Sequence, residues 1–194
     1  MKVLYLYCHP LKDSFHAAIR DEALAGLKAA GHEIDLLDLY AEGFDPVLRA
    51  DARERYHDTS RNQRGVEAYV ARLRAAEALV AQFPTWSFGL PAMLKGFFDR
   101  LFMPGVGFDI SDPAHAKPLL GHIKRLVGVS TYGRPRWMAL YIGDPPRRTI
   151  TRYVRWFVAR DARVDYLALY HMNIATLAQR QRFLARVRAR MERL

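Results

Sequence analysis

The sequence has few of the features that stabilise secreted proteins or span membranes. It contains one cysteine, Cys8, among 194 residues, which excludes an internal disulfide framework and a zinc site built from cysteines. No apolar run approaches the roughly 18 residues that a membrane-spanning helix needs. The short apolar stretch at the N-terminus ends without the small-residue cleavage site of a signal peptide. We therefore expect a cytoplasmic protein with no membrane span.

Several common catalytic and nucleotide-binding motifs are also missing. The chain has no G-x-x-x-x-G-K-S/T segment and no G-x-G-x-x-G segment after its first apolar run. These absences exclude a P-loop NTPase and the usual dinucleotide-binding fingerprint. The G-x-S-x-G turn of many esterases is absent as well. The loop after Cys8 contains no arginine, so a buried structural thiol is a better interpretation than a phosphatase nucleophile.

Acidic residues are in deficit, with 30 Lys+Arg against 20 Asp+Glu and a formal net charge of +10. At 51% hydrophobic and 26% charged residues, the composition is that of one globular domain covering residues 1–194. Residues 147–194 contain twelve arginines against Asp161, Asp165 and Glu192. These arginines alternate with apolar residues at helical spacing, which favours solvent-exposed helix faces over a nucleic-acid-binding surface. Nucleic-acid binding remains the alternative function for this basic quarter.

Five short β-rich apolar segments alternate with helical patterns, which predicts an α/β fold with a parallel sheet and helices on both faces. The predicted strands cover residues 3–7, 34–39, 78–83, 126–130 and 164–170. Helices are predicted after Ser14, over 66–76, after Pro91, over 147–159 and after Thr176. Thr176 and Gln179 predict a capping box for the last helix, with a core stripe of Leu177, Leu184, Val187 and Met191. Ligands of such sheets bind beyond the carboxyl ends of the strands, so the loops after the first, third and fourth strands are the candidate binding loops.

The first of these loops, residues 8–16, runs from a strand end to a helix start. Such a junction favours an anionic phosphate, because the helix offers free N–H groups and the positive end of its dipole. Ser14 would add a hydroxyl donor, and His9, Lys12 and His16 would add positive charge. The alternative is that Ser14 only caps the helix and that the histidines are surface residues. The residues alone leave both interpretations open.

The second loop is rich in aromatic residues, with Trp86 and Phe88 between Thr85 and Gly89. Exposed aromatic side chains are unfavourable unless something flat covers them. The N–H groups of Trp86, Ser87 and Phe88 are candidates to bond a planar heterocycle, while the side chains shape its pocket. The alternative is that Trp86 and Phe88 pack in the core or at a subunit contact.

The segment 83–100, F-P-T-W-S-F-G-L-P-A-M-L-K-G-F-F-D-R, together with His9 and the Ser14-Phe15 pair, resembles the NAD(P)H:quinone oxidoreductases of the flavodoxin-like superfamily. The match at 83–100 is long and nearly ungapped, and the resemblance continues in order over nearly the whole chain. It implies a flavodoxin-like three-layer sandwich, a tightly held FMN or FAD, and a homodimer with the active site at the subunit contact. We expect FMN, because the chain is shorter than the FAD-binding mammalian members.

The resemblance also implies three groups of cofactor-binding residues. The positions that hold the flavin phosphate are His9, Ser14, Phe15 and His16. The positions beside the isoalloxazine ring are Pro84, Thr85, Trp86, Ser87 and Phe88. The positions at the edge of the ring are Ser130, Thr131, Tyr132 and Gly133. Tyr132 replaces a glycine of the family pattern, and its hydroxyl either is a catalytic donor to the ring or simply packs.

The implied activity is hydride transfer from NAD(P)H through the flavin to a quinone-like acceptor, in a ping-pong scheme. Well-studied mammalian members carry a Tyr and a His that have been proposed to relay charge from the flavin. Residues 134–138 and 143–146 occupy that stretch here and offer neither counterpart. We expect N–H groups of residues 130–133 to stabilise the charge instead, and we expect the basic C-terminal quarter to be peripheral to the chemistry. An electron carrier or a regulatory flavoprotein subunit is the alternative, although carriers of this type tend to be acidic.

Overall fold

The computed structural model describes residues 1–112 and 114–194, and a five-stranded parallel sheet lies at its centre. The strands, in chain order, are β1 (Lys2–Tyr7), β2 (Glu33–Asp38), β3 (Ala78–Pro84), β4 (Phe108–Asp109), β5 (Lys117–Pro118), β6 (Arg125–Thr131) and β7 (Arg163–Leu169). The sheet has the order β2-β1-β3-β6-β7, and β4 and β5 form a separate antiparallel pair. All four strand pairings of the sheet are parallel. The predicted α/β fold and its five strands are confirmed.

The helices are α1 (Phe15–Ala29), α2 (Ala50–Glu54), α3 (Glu67–Ala75), α4 (Ala92–Leu101), α5 (Arg136–Tyr141), α6 (Pro145–Arg148), α7 (Arg155–Phe157) and α8 (Leu177–Met191). A π-helical turn, Thr149–Val154, joins α6 to α7, so the helix predicted over 147–159 is present as a composite. A 3-10 turn covers Met172–Ile174. Among the described residues, no helix is long and apolar enough to span a bilayer.

Side chains of β1 alternate between two separate cores, because successive residues of a strand point to opposite faces. Val3, Tyr5 and Tyr7 are buried with the apolar faces of α1 and α8. Leu4 and Leu6 are buried on the other face with α3, α4 and the composite helix. Every residue from Val3 to Tyr7 is at most 1% exposed, as expected for a strand covered by helices on both sides.

The close packing of α1 on α8 explains where the predicted core stripe was right and where it was wrong. Gly26 lets the helices approach, since a Cβ there would lie 2.6 Å from the backbone oxygen of Arg188. Val187 and Met191 are fully buried as predicted, but Leu177 is 72% exposed. At 100° per residue, Leu177 lies about 80° around α8 from the buried Val187. Phe183, one helical turn before Val187, is buried in the core although the predicted stripe did not include it.

Candidate functional site

The three candidate loops meet at the carboxyl edge of the sheet. The strands β1, β3 and β6 are neighbours, and the chain reverses its winding direction between β1 and β3, which is where ligands bind in such sheets. The Thr85 N–H donates to the backbone oxygen of Thr131 at 2.9 Å, which joins the second loop to the third. The rings of His9 and Trp86 lie 6.5 Å apart, which joins the first loop to the second.

Ser14 at the end of the first loop is the N-cap of α1. Its Oγ accepts from the Ala17 N–H at 3.2 Å and donates to the Leu11 carbonyl at 3.1 Å. The single hydroxyl proton of Ser14 is therefore engaged within the loop, and the expectation that it is free to donate to a ligand is wrong. The N–H groups of Phe15 and His16 belong to the first turn and have no intrahelical acceptor, so they remain for an anion.

His16 is a buried, neutral part of the site. Its Nε2–H donates to Thr131 Oγ1 at 2.9 Å, while its Nδ1 lies 3.2 Å from the amide nitrogen of Gln82 and accepts from it. Burial, with a smaller contribution from nearby His9, lowers the pKa of His16 to about 3. His16 therefore adds no positive charge at neutral pH, and that expectation is corrected. His9 stacks on His16 with ring centroids 5.2 Å apart.

A further positive charge near the first loop comes from α8. The guanidinium carbon of Arg180 lies 5.9 Å from the ring centroid of Phe15, whose ring also contacts Phe183. The Arg180 Nε is buried and has no hydrogen-bond partner among the described residues. Arg180 belongs to the basic quarter, which we expect to be peripheral to the chemistry, and it lies beside the first residue of α1. The capping box at Thr176 was the available signal, because it starts α8 just after β7 ends, at the same edge of the sheet.

The second loop is a tight turn from Trp86 to Gly89 with an unusual backbone. Trp86 and Gly89 exchange both backbone hydrogen bonds, at 3.2 and 2.8 Å. Ser87 and Phe88 between them have φ angles of 48° and 57°. Positive φ at both central residues defines a type I′ turn, which favours Asn and Gly because other side chains are strained there. Such strain is typical of ligand-binding segments whose surroundings hold them in place.

The outcomes for the expected second-loop contacts differ from residue to residue. The Trp86 N–H already donates to Gly89, so it is not free for a heterocycle, as we had expected. The Trp86 side chain is 42% exposed, which excludes the alternative of a core residue. Ser87 and Phe88 line a cleft of about 140 Å³ together with Thr85, Tyr132, Gly133 and Arg134. Pro84 is buried at the end of β3 and pairs with Thr131 of β6.

Tyr132 in the third loop is committed to the protein interior. Its N–H donates to the Leu169 carbonyl at 2.8 Å, and its hydroxyl donates to Asp144 Oδ1 at 2.6 Å. Burial, reinforced by the neighbouring hydroxyl of Tyr166 and by Asp144, raises the pKa of Tyr132 far above its ordinary value. The expectation that this hydroxyl donates directly to a bound ring is therefore corrected, as is the expected use of its N–H. Its ring still forms a wall of the cleft.

The remaining third-loop residues occupy the expected edge. Ser130 and Thr131 are at most 3% exposed, and the Ser130 Oγ lies 3.1 Å from Thr85 Oγ1. Thr131 Oγ1 accepts from His16, which leaves its own proton to donate. A Cβ at Gly133 would lie 3.1 Å from the side chain of Asn173, so a larger residue would press on the turn after β7. Arg134, exposed beside the cleft, was not among the expected site residues.

Comparison with known proteins agrees with the fold. Residues 1–193 match the family described as having a flavodoxin-like fold. The NAD(P)H dehydrogenase (quinone) 1 of Rattus norvegicus is 30% identical over 148 residues, which are 68% of this chain and 54% of that protein. The crystal structure of Smu.1420 from Streptococcus mutans UA159 is 26% identical with a TM-score of 0.88, and the match covers 100% of both chains.

A structure with a bound flavin has the same fold. The FMN-dependent NADH-azoreductase from Bacillus anthracis str. Ames Ancestor, in complex with FMN, is 15% identical with a TM-score of 0.76, over 100% of this chain and 99% of that one. The chain spans about half the length of the curated rat and guinea-pig (Cavia porcellus) relatives that it matches. The chain belongs to the family described as having a flavodoxin-like fold.

Proposed function

We propose that the protein is a flavin-dependent NAD(P)H oxidoreductase that passes a hydride from NAD(P)H through bound FMN to a quinone-like acceptor. One observation carries the proposal. Unused N–H groups, buried hydroxyls and an arginine whose Nε has no partner among the described residues lie around the ends of β1, β3 and β6. The resemblance at residues 83–100 and the names of the relatives support the same activity.

The phosphate of FMN would bind at the start of α1. The N–H groups of Phe15 and His16 and the positive end of a 15-residue helix favour an anion there. Arg180 fits the same anion, because its buried Nε has no partner in the part of the chain that the structure describes, and hydrogen bonds from a guanidinium to phosphate are strong. His9, stacked on neutral His16, would close the other side.

The ring of the flavin would lie against the second and third loops. When bound, the flavin supplies the capacity to accept and return a hydride. The chain positions it through Thr85, Phe88 and Gly133, all of which line the cleft. Charge that develops at the ring edge would be stabilised by Arg134, which is exposed at the rim. Thr131 would hold the ring with the proton that His16 leaves free.

The scheme we propose is ping-pong, in which the oxidised nicotinamide leaves the flavin before the quinone takes the same face of the ring.

The exposed apolar surface of α5 would meet a second copy of the chain. Trp137, Leu140 and Tyr141 are 64%, 55% and 86% exposed on this short helix, which begins two residues after Arg134. Exposed apolar patches mark interaction sites, and we propose a homodimer through this surface.

Nucleic acid is not a partner in this proposal, because several arginines of the basic quarter serve packing. Arg190 pairs with Asp165, Arg188 pairs with Glu22 at 3.4 Å, and Arg186 donates to the Ala168 carbonyl at 2.9 Å. A surface that binds the phosphates of a nucleic acid needs clustered cations that are not engaged by other partners. These residues instead attach α8 to its neighbours.

The test is a spectrum followed by one pair of variants. Purified protein, incubated with FMN or FAD and then desalted, should be yellow, and NADH or NADPH should bleach it without oxygen until a quinone restores the colour. Chromatography of the released flavin distinguishes FMN from FAD.

Arg180→Ala should weaken FMN binding roughly 10- to 100-fold, the value of one charge-assisted hydrogen bond. Arg193→Ala removes the same charge at the far end of α8 and should leave the affinity unchanged. Protein that retains no flavin would refute the proposal.

A further inference from the structure

A shallow hollow of about 370 Å³ lies close to the cleft and has no part in the proposed function so far. Gly143 and Pro145 line the hollow, and they flank Asp144, whose Oδ1 accepts from the Tyr132 hydroxyl at 2.6 Å. Tyr132 is a wall of the cleft, so one buried side chain separates the two depressions. The volume lies within the roughly 300–1,000 Å³ of ligand pockets. The hollow is therefore the neighbouring place for the rest of a ligand whose reactive end fills the cleft.

Two arginines, four residues apart in the chain, give the hollow a positive charge. Arg148 is the last residue of α6, and Arg152 lies in the π-helical turn that follows, and both line the same depression. A Cβ at Gly143 would lie 3.3 Å from Arg148 Nη1, and its φ of 88° also favours glycine. The guanidinium of Arg148 is therefore held close to the backbone at Gly143.

The nearby acids do not balance these two charges among the described residues. Asp144 is the single acid between Gly133 and Arg160, and it is 4% exposed with its carboxylate bonded to Tyr132. Other acids of the region pair with other cations, namely Asp161 with Lys124, Asp165 with Arg190, Glu192 with Arg188, and Asp99, near Tyr153, with Lys95. Guanidinium groups without a carboxylate partner favour an anionic ligand, and phosphate above all.

From this arrangement we propose that the hollow binds the 2′-phosphate of NADPH, so that the protein prefers NADPH to NADH. The inference rests on the proposed function and names which of the two nicotinamide cofactors serves it. NADPH differs from NADH in this phosphate alone, a monoester that carries about −1.5 to −2 charges at pH 7. Arg148 and Arg152 offer its oxygens planar groups with several N–H donors each.

A tyrosine in the hollow suits the adenosine that carries this phosphate. The Tyr153 side chain is 44% exposed, and its ring packs on Phe157 with centroids 5.0 Å apart, so it offers adenine a fixed aromatic surface for stacking. Burial raises the pKa of Tyr153 to about 12, and the phenol therefore stays neutral beside an anion at physiological pH. Aromatic surface and two cations in one depression match the base and the 2′-phosphate of one nucleotide.

The first experiment measures the hollow without turnover. Isothermal titration calorimetry on the FMN-loaded protein compares adenosine 2′,5′-bisphosphate with 5′-AMP, which lacks the 2′-phosphate. We expect the bisphosphate to bind about tenfold more tightly or better, the value of one charge-assisted hydrogen bond. Arg148→Gln should weaken binding of the bisphosphate about tenfold and leave binding of 5′-AMP unchanged. Arg160→Gln removes the same charge beyond the end of α7 and should leave both affinities unchanged.

Steady-state kinetics measure the same phosphate in the reaction. In Arg148→Gln the KM for NADPH should rise about tenfold at an unchanged kcat, because the lost contact is made equally before and during hydride transfer. The KM for NADH should stay at the wild-type value, since NADH has no phosphate for Arg148. Added salt should reduce the preference of the wild type for NADPH, because the hollow is open to solvent.

Each outcome decides a separate point. Equal affinities of the wild type for the bisphosphate and 5′-AMP would overturn the proposal, and this comparison needs no variant to fold. Equal rises in the KM for NADPH and for NADH in Arg148→Gln would overturn it as well, as would equal weakening of the bisphosphate by Arg160→Gln. A wild-type protein that binds no flavin would refute the proposed function itself. The two nucleotides can still be compared on that protein, so the two failures are distinguishable.

Discussion

The neutral state of His16 makes the stability of the fold depend on pH in a defined direction. The pKa of His16 is about 3 in the folded protein, against an ordinary value near 6.5. Below pH 6.5 the unfolded chain binds a proton that the folded chain does not bind, so the folded state loses stability as the pH falls. Integrated from pH 7 to pH 5, this difference is worth about 2 kcal/mol of unfolding free energy.

A substitution isolates this contribution from that of the carboxylates. In His16→Gln the amide offers both a donor for Thr131 and an acceptor for Gln82, but it does not titrate. Urea unfolding of both proteins at pH 7 and pH 5 gives the two free energies of unfolding. We expect the wild type to lose about 2 kcal/mol more than the variant does over this range.

The control is a second histidine. His57→Gln changes an exposed residue in the segment after α2 and should keep the full wild-type dependence on pH. The reasoning would be refuted by equal losses in the wild type and in His16→Gln. That result would mean that His16 is protonated in the folded protein at pH 5, so that its Nδ1 could not accept from the side-chain amide of Gln82.

Two further substitutions test packing and strain. Gly26→Ala places a methyl group against the Arg188 carbonyl and should lower the free energy of unfolding by about 2 kcal/mol, since overpacking outweighs the better helix propensity. The melting temperature should therefore fall by roughly 4–8 °C. An unchanged melting temperature would contradict the close approach of α1 and α8. Phe88→Gly relieves the backbone strain at a φ of 57°, so it should stabilise the turn by about 1 kcal/mol while it weakens FMN binding. A variant that is more stable and binds FMN as tightly as the wild type would show that Phe88 does not contact the flavin ring.

The fold was predictable because its signals are local. Short β-rich runs marked all five strands, and Ser14 and Thr176 marked the starts of α1 and α8 correctly. Helix α5 was missed for a physical reason. Its residues from Trp137 to Tyr141 are all apolar or aromatic, so the segment lacks the alternation of apolar and polar positions that indicates a helix.

The candidate site was predictable in position but not in hydrogen bonding. The end of a strand can be recognised from sequence, and the order of the strands then brings three loops to one edge. Which N–H and hydroxyl groups remain free depends on partners that are distant in the chain. Tyr132 is engaged by Leu169 and Asp144, and His16 by Gln82 and Thr131. No spacing rule connects such pairs, so the free donors were assigned incorrectly.

The neutral and the charged groups of the site lie in different places. Its buried groups His16, Tyr132 and Tyr166 are neutral, because a buried charge without a partner is costly. Its cations, Arg134 and Arg180, lie at the rim and beside the first loop. Anionic phosphates can be attracted there without burial of a fixed charge in the interior. Variants of the arginines should therefore change an affinity for flavin that responds to salt, whereas the effects of variants of the buried neutral groups should not respond to salt.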